Sequence, residues 1–433
     1  MKKILILTAL YLAGWNTLWA KTVESINWTT SDGLQVSFYP APEVPMLELR
    51  LAFRCGSAYD GENYGLSSLT ASLIGDSSEG MSTDAIAERY EDVGAQFSAD
   101  NNRDMTVFSL RSLTEPKALA QGTDTFIHTL TKATFSQPDF LREKQRQLTA
   151  LAQRKESPNQ VGTDLFFEKL YGTHPYAHPV PGTDKTLKAI TREQVEQFYQ
   201  QYYVAKNAYL VIVGAIDINK AKEIAEQLSR KMKKGEKAPV VPQASPLSSS
   251  SVINYPFPSS QTILRLGQLG ITYHITDYFP LVVGNYILGG GTLVSRLAIE
   301  VREKRGLTYG VGSQFQPLSG DGPFVIGLST KSAQAEEALT VTRNVLQGYL
   351  AKGPDEKELK AAKLYLTGSF PLALASNRQI ADMLLRMAFY DLPKDYLTNY
   401  QKNIEQVSIG QIMTAMDKHL DPNKMLLVKV GRM

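Results

Sequence analysis

The 433-residue chain has one cysteine, Cys55, which rules out an internal disulfide, a cysteine-based zinc site and an iron–sulfur centre. Stability therefore has to come from burial, and 43% hydrophobic residues supply material for more than one core. Neither sign of charge is in excess: a formal net charge of +3 asks for neither nucleic acid nor an anionic surface. Only five histidines are present, and H-E-x-x-H, H-x-x-E-H and G-x-S-x-G are all missing. The residues alone compose no complete hydrolytic site. Beyond the first twenty residues no apolar run is long enough to cross a bilayer, so stable membrane insertion of the mature chain is not expected.

The N-terminus, MKKILILTALYLAGWNTLWA, has two lysines, a short apolar run and a small residue at position 20. That is the layout of a signal peptide over residues 1–20, and it places the expected mature protein in the periplasm. Farther on, KKGEKAPVVPQASPLSSSS combines prolines, a serine run and no periodicity, the marks of a linker, here set at 233–251. It separates a domain at 21–232 from one at 252–433.

The two segments repeat each other. TREQVEQFYQQYYVAKNAYLVIVG (191–214) reads as a Thr191/Gln194 capping pair, an amphipathic helix and a buried-type strand ending in glycine. SIGQIMTAMDKHLDPNKMLLVKVG (408–431) repeats that order, with Ser408, Asn423 and Gly431 standing for Thr191, Asn207 and Gly214. IAERYEDVGAQFSADNNRDMTVFSL (86–110) and IEVREKRGLTYGVGSQFQPLSGDGPFVIGL (299–328) also match, each a helix stopped by glycine and followed by strands. Helical patterns at 64–75, 82–93, 114–131, 138–155 and 159–171 come in a block rather than alternating with strands. The expected class is α+β: two duplicated domains, each a mainly antiparallel sheet with helices packed on one face.

Candidate functional residues are few. His174 and His178 in THPYAHPVPG have i, i+4 spacing, but Pro175 and Pro179 oppose a helix, so a rigid loop is expected. The more informative stretch is LGGGTLVSRLAIEVREKRGLTYGVGSQF (288–315): a glycine run, a helix over 295–304, Gly306 as its left-handed cap, then Tyr309. Arg302 and Tyr309 are two donors that could converge on a peptide carbonyl and hold the oxyanion formed as water attacks. Basic residues near a helix C-terminus also complement its dipole without any function.

The run LGGG…SRL…R-x6-Y (288–309), together with KLYGTHPYAHPVPG (169–182), resembles the pitrilysin or insulinase family of inverted-zincin metallopeptidases, especially the two-domain type that includes mitochondrial processing peptidase subunits. The resemblance spans about Ser25 to Gly431. It implies paired domains that close like a clamshell around an unfolded peptide. One half would carry zinc on two His and a distant Glu, with a second Glu as base; the other would supply an Arg and a Tyr, which Arg302 and Tyr309 match. Gly289, Gly290 and Gly291 would line the substrate path or form a tight packing turn. Against the family's zinc pattern, Ser68 and Ser72 fall on the histidines, Ala71 on the catalytic Glu, and Thr149 or Ala150 on the distant Glu. Through the repeat, Arg302 and Tyr309 map back to Tyr90 and Phe97, so the pair occurs once.

The resemblance thus implies a chain with no cofactor of its own, inactive alone, serving as the non-zinc subunit of a periplasmic heterodimeric metallopeptidase. Zinc is expected in a homologous partner subunit, and the substrate is an extended peptide. The alternative is a catalytically inert peptide-binding or scaffold protein of the same fold.

Overall fold

Eleven strands form two sheets in the computed structural model, which describes residues 23–432; the signal-peptide expectation lies outside the described residues. The first sheet contains β1 (Ile26–Thr29), β2 (Gln35–Pro40), β3 (Met46–Phe53), β4 (Gln96–Asn101), β5 (Thr106–Leu113) and β6 (Ala208–Gly214), in the order β1-β2-β6-β3-β5-β4. The second contains β7 (Ser251–Pro256), β8 (Gln261–Leu269), β9 (Val311–Phe315), β10 (Pro323–Lys331) and β11 (Leu426–Gly431), ordered β7-β11-β8-β10-β9. In each, one pair is parallel, β2 with β6 and β7 with β11, and the rest are antiparallel.

The duplication is visible residue by residue in the ladders. Pro40 lies opposite Gly214 and Pro256 opposite Gly431, so QVSFYP of β2 superposes in register on SVINYP of β7. Thr191 with Gln194 forms the capping box read from the sequence, and its counterpart Ser408 forms one with Gln411. Among the described residues the second sheet has no counterpart of β1.

Side chains of the central strands alternate between two cores, as the pleat requires. In β6, Leu210 and Ile212 face the first half's own helices, while Tyr209, Val211 and Val213 face away. Those outward residues are covered by helix Asn377–Phe389 of the second half, through Ile380, Leu384 and Phe389. The exchange is reciprocal. In β11, Leu427 faces the second half's core, and Leu426, Val428 and Val430 pack against Phe166 and Leu170 of helix Pro158–Tyr171 from the first half. Each sheet therefore has its own helices on one face, as expected, and one helix from the opposite half on the other. Strand arginines tie the exchange: Arg50 Nε meets Asp382 at 2.8 Å, and Arg265, which aligns with Arg50 through the ladders, reaches Asn159 Oδ1 at 2.6 Å.

A buried carboxylate closes the junction. Asp104, 0% exposed, accepts hydrogen bonds from the Tyr176 hydroxyl, the Tyr390 hydroxyl (2.9 Å) and the Ser319 N–H (2.9 Å). Arg54 adds a bond to Phe389 O at 3.0 Å and lies over the Phe389 ring. The segment before β7 is a strap across this junction: Ala238 N–H donates to Asn207 Oδ1 (2.9 Å), and Pro239 O and Pro242 O accept from Tyr59 and His174.

Removing Asp104 leaves two buried hydroxyls and one N–H without their acceptor, each costing about 1–3 kcal/mol. Asp104→Ala is expected to lower unfolding stability by about 3 kcal/mol or more, measured by urea denaturation. A loss below about 1 kcal/mol would show that the junction does not depend on this carboxylate.

Candidate functional site

The segment with Arg302 folds as a widened helix: Ile299 N–H bonds Ser295 O (2.9 Å), and Lys304 N–H reaches five residues back to Ile299 O (3.0 Å). Wide turns of this kind recur at functional sites. The helix ends as the sequence suggests, on Gly306 at φ +63°. Gly306 N–H bonds Arg302 O, and Leu307 N–H bonds Val301 O, the paired closure of a glycine C-cap. Val301 and Leu307 are buried in the second half's core, which anchors the helix end.

The three cations there differ. Lys304 and Arg305 both bind the Glu300 carboxylate, at 2.6 and 2.7 Å, and hold it below the usual carboxylate range. They are a helix-end charge cluster. Arg302 is half-buried, and its guanidinium has no hydrogen bond or ion pair among the described residues.

Tyr309 is 90% exposed, and its hydroxyl likewise has no partner among the described residues. Its outward pose has a local cause. The Thr308 hydroxyl shares its one proton between Gly310 O (2.8 Å) and Ser329 O of β10 (2.7 Å), and accepts from Gly310 N–H (3.1 Å), stapling the backbone on both sides of Tyr309.

The ladders correct one sequence correspondence. Leu49 pairs with Leu110, and Leu110 with Phe97; in the second sheet Leu264 pairs with Leu328, and Leu328 with Val311. Phe97 is thus equivalent to Val311, and Tyr309 falls beside Ala95. The turn between the capping glycine and the edge strand is two residues longer in the second half, Leu307 and Thr308 in this register, and Tyr309 directly follows that extra length. In the first half Tyr90 and Phe97 stack on each other, ring centroids 5.6 Å apart, and join the core.

The glycine run packs tightly. A Cβ on Gly289 would lie 2.5 Å from Ser313 N of β9, and Asn285 and Ser313 exchange side-chain hydrogen bonds across the same contact. Gly291 is also buried; Gly290 is exposed and borders a cavity of about 220 Å³ with Tyr286, Phe315 and Leu366. Thr292 follows at φ +44°, a strained position for a β-branched residue, and Leu293 and Val294 project into solvent.

The zinc-motif positions do not fit a metal. Ser68, Ala71 and Ser72 lie on helix Leu66–Leu73; Ala71 is 2% exposed, so apolar packing occupies the place of a base. Thr149 and Ala150 lie exposed on helix Gln137–Lys155. A serine hydroxyl is a poor zinc ligand and none of these groups is a carboxylate or imidazole. Among the described residues no group of three or more His, Cys, Asp or Glu is gathered to hold a metal. The loop histidines are structural. His174 donates to Pro242 O and accepts from Tyr176 N–H, while His178 lies between Ser57 O and Pro179 O under the Tyr64 ring.

The vestigial helix survives through its apolar side and a carboxylate cap. Leu66, Leu69 and Leu73 enter the core, and Asp60 accepts from Gly65 N–H and Ser67 N–H, both at 2.7 Å. Burial pushes the Asp60 carboxyl up to about 7, against the pull of those two donors. The unfolded chain releases this proton near pH 4, whereas the folded chain keeps it until about pH 7. Asp60 therefore lowers stability progressively across that window as pH rises, and its effect is level above it. The difference in urea midpoint between wild type and Asp60→Asn should change with pH between these limits; a pH-independent difference would refute this.

Two family models match the chain: insulinase (peptidase family M16) over residues 40–184 and the peptidase M16 inactive domain over 189–366. A crystal structure of a peptidase M16 inactive domain from Pseudomonas fluorescens is 38% identical, covering 95% of this chain and 98% of that one, with a TM-score of 0.92. A protein of Rickettsia felis named an uncharacterized zinc protease is 29% identical, covering 79% of this chain and 82% of its own. A protease structure from Helicobacter pylori shares the fold, at TM-score 0.87 and 18% identity, covering 94% of this chain and 99% of that one. The chain belongs to peptidase family M16, the insulinase or pitrilysin family, as a member that lacks the zinc motif.

Proposed function

We propose that this chain is the non-zinc subunit of a periplasmic heterodimeric metallopeptidase, whose homologous partner subunit carries the zinc. The observation that carries the reading is the pair of unspent donors, Arg302 without an ion pair beside two cations that have one, and Tyr309 held out into solvent by the Thr308 staple. An exposed tyrosine on a pinned turn contributes little to folding, and a planar guanidinium with free donors suits a carbonyl oxygen. In the assembled pair, Arg302 and Tyr309 orient the scissile carbonyl of an extended peptide and hold its oxygen as negative charge develops there. Gly290, at the cavity mouth, gives the peptide backbone a close approach, with Gly289 and Gly291 packing the turn beneath it.

Co-purification from the native host, with peptide cleavage assayed for the chain alone and for the complex, tests the assignment. Cleavage should need the complex, and zinc should travel with the partner. Arg302→Ala and Tyr309→Phe should each cut turnover roughly 100-fold to 1,000-fold with assembly intact, the loss typical of an oxyanion donor. Variants that assemble and keep full turnover would overturn the catalytic role. If Arg302→Ala weakened only peptide affinity, the chain would instead be an inert peptide-binding protein.

A further inference from the structure

The outer edge of β7 is open among the described residues, whereas the matching edge of the first sheet is covered. In the first half, β1 pairs antiparallel with β2, Ile26 opposite Phe38 and Trp28 opposite Val36. Because β2 and β7 share a register, Phe38 corresponds to Asn254 and Val36 to Val252. The segment that would have to double back to cover β7 is the strap held by Asn207, Tyr59 and His174. Its engagement at the junction leaves β7 with one neighbour, β11.

The direction of the free groups follows from the ladder. Ser251 N–H bonds Met425 O and Phe257 N–H bonds Gly431 O, so odd-numbered residues face β11. Val252 and Asn254 therefore turn both N–H and C=O outward. The side chains along this edge are also open, with Val252 51% and Tyr255 42% exposed. Proteins ordinarily protect such an edge with charges or proline, and here the one such residue in β7 is Pro256 at its end. Here no charged residue or histidine occurs anywhere from Ala238 to Leu264.

We propose that this edge docks a second copy of the chain, β7 against β7, antiparallel about a two-fold axis at Ile253. With Ile253 opposite its symmetry mate, Val252 faces Asn254 of the other copy and the reverse. Both are outward residues, so each pair exchanges two backbone hydrogen bonds, four in all, the set that β1 makes with β2. The uncharged stretch puts no like-charge repulsion between identical edges. The contact is isologous and closes at two copies. It is also small, which places the dimer among weak, transient interfaces. The edge lies across the sheet from β9, so pairing there leaves Arg302 and Tyr309 free, and the proposal stands independently of their role.

Sedimentation equilibrium of the mature chain over a wide concentration range tests this, with Asn254→Pro and Val252→Lys as variants. Asn254→Pro removes an outward donor without breaking a bond to β11, and Val252→Lys adds like charges near the axis. The wild type should dimerise, and each variant should raise the dissociation constant by at least roughly tenfold with an unchanged thermal melt. A wild type that stays monomeric, or a dimer indifferent to both variants, overturns the proposal. So does a wild-type monomer whose edge variants lose binding to a zinc-bearing homologue, because the partner would then own the edge.

Discussion

The fold depends on β6 and β11 being buried on both faces. A strand such as AYLVIVG, buried along its whole length, cannot be satisfied by helices on one side. The chain covers the second face with a helix from the opposite half, and does so twice. Each fully buried Leu, Ile or Phe stabilises by roughly 1.5–3 kcal/mol, and helix Asn377–Phe389 contributes Ile380, Leu384, Leu385 and Phe389. Withdrawing it would forfeit an amount comparable to the roughly 5–15 kcal/mol that keeps a domain folded. The two halves are therefore one cooperative body, with Asp104 and its tyrosines setting their alignment.

A body held this way makes a fixed platform for the Arg302 helix and the Tyr309 turn. Their supports are local and specific: the buried Val301–Leu307 closure, the Thr308 staple to β10, and the Asn285–Ser313 exchange under the glycine run. Under the proposed function such rigidity matters, because donors fixed before substrate arrives lose little on reorganisation. The backbone strain at Thr292 sits between these supports and is held by them.

Much of this was legible in the sequence because it is encoded locally. The capping box at Thr191, the glycine cap at 306 and the alternation along the strands are short-range signals, and each forms where it was read. The helix exchange was not legible, since an apolar stripe on IADMLLRMAF says that a face is buried but not which sheet buries it. Asp104, in NNRDM, has the look of a turn residue; only the fold brings Tyr176, Ser319 and Tyr390 to it. Pattern alone aligns Tyr309 with Phe97, because a turn two residues longer leaves the flanking patterns intact while shifting the register.

The same logic explains why a zinc motif could disappear while the helix that would carry it persists in form. Helix Leu66–Leu73 is held by Leu66, Leu69, Leu73 and the Asp60 cap, none of which is a zinc-ligand position. Serines at 68 and 72 and alanine at 71 leave that framework untouched, so the metal chemistry is separable from the fold. Arg302 and Tyr309 present the converse case. Their neighbours Lys304 and Arg305 spend their charge on Glu300, and Tyr90 and Phe97 in the first half spend their rings on the core. Among the described residues the Arg302 guanidinium and the Tyr309 hydroxyl have no internal partner, while the backbone that holds them is fixed by the Gly306 closure and by Thr308.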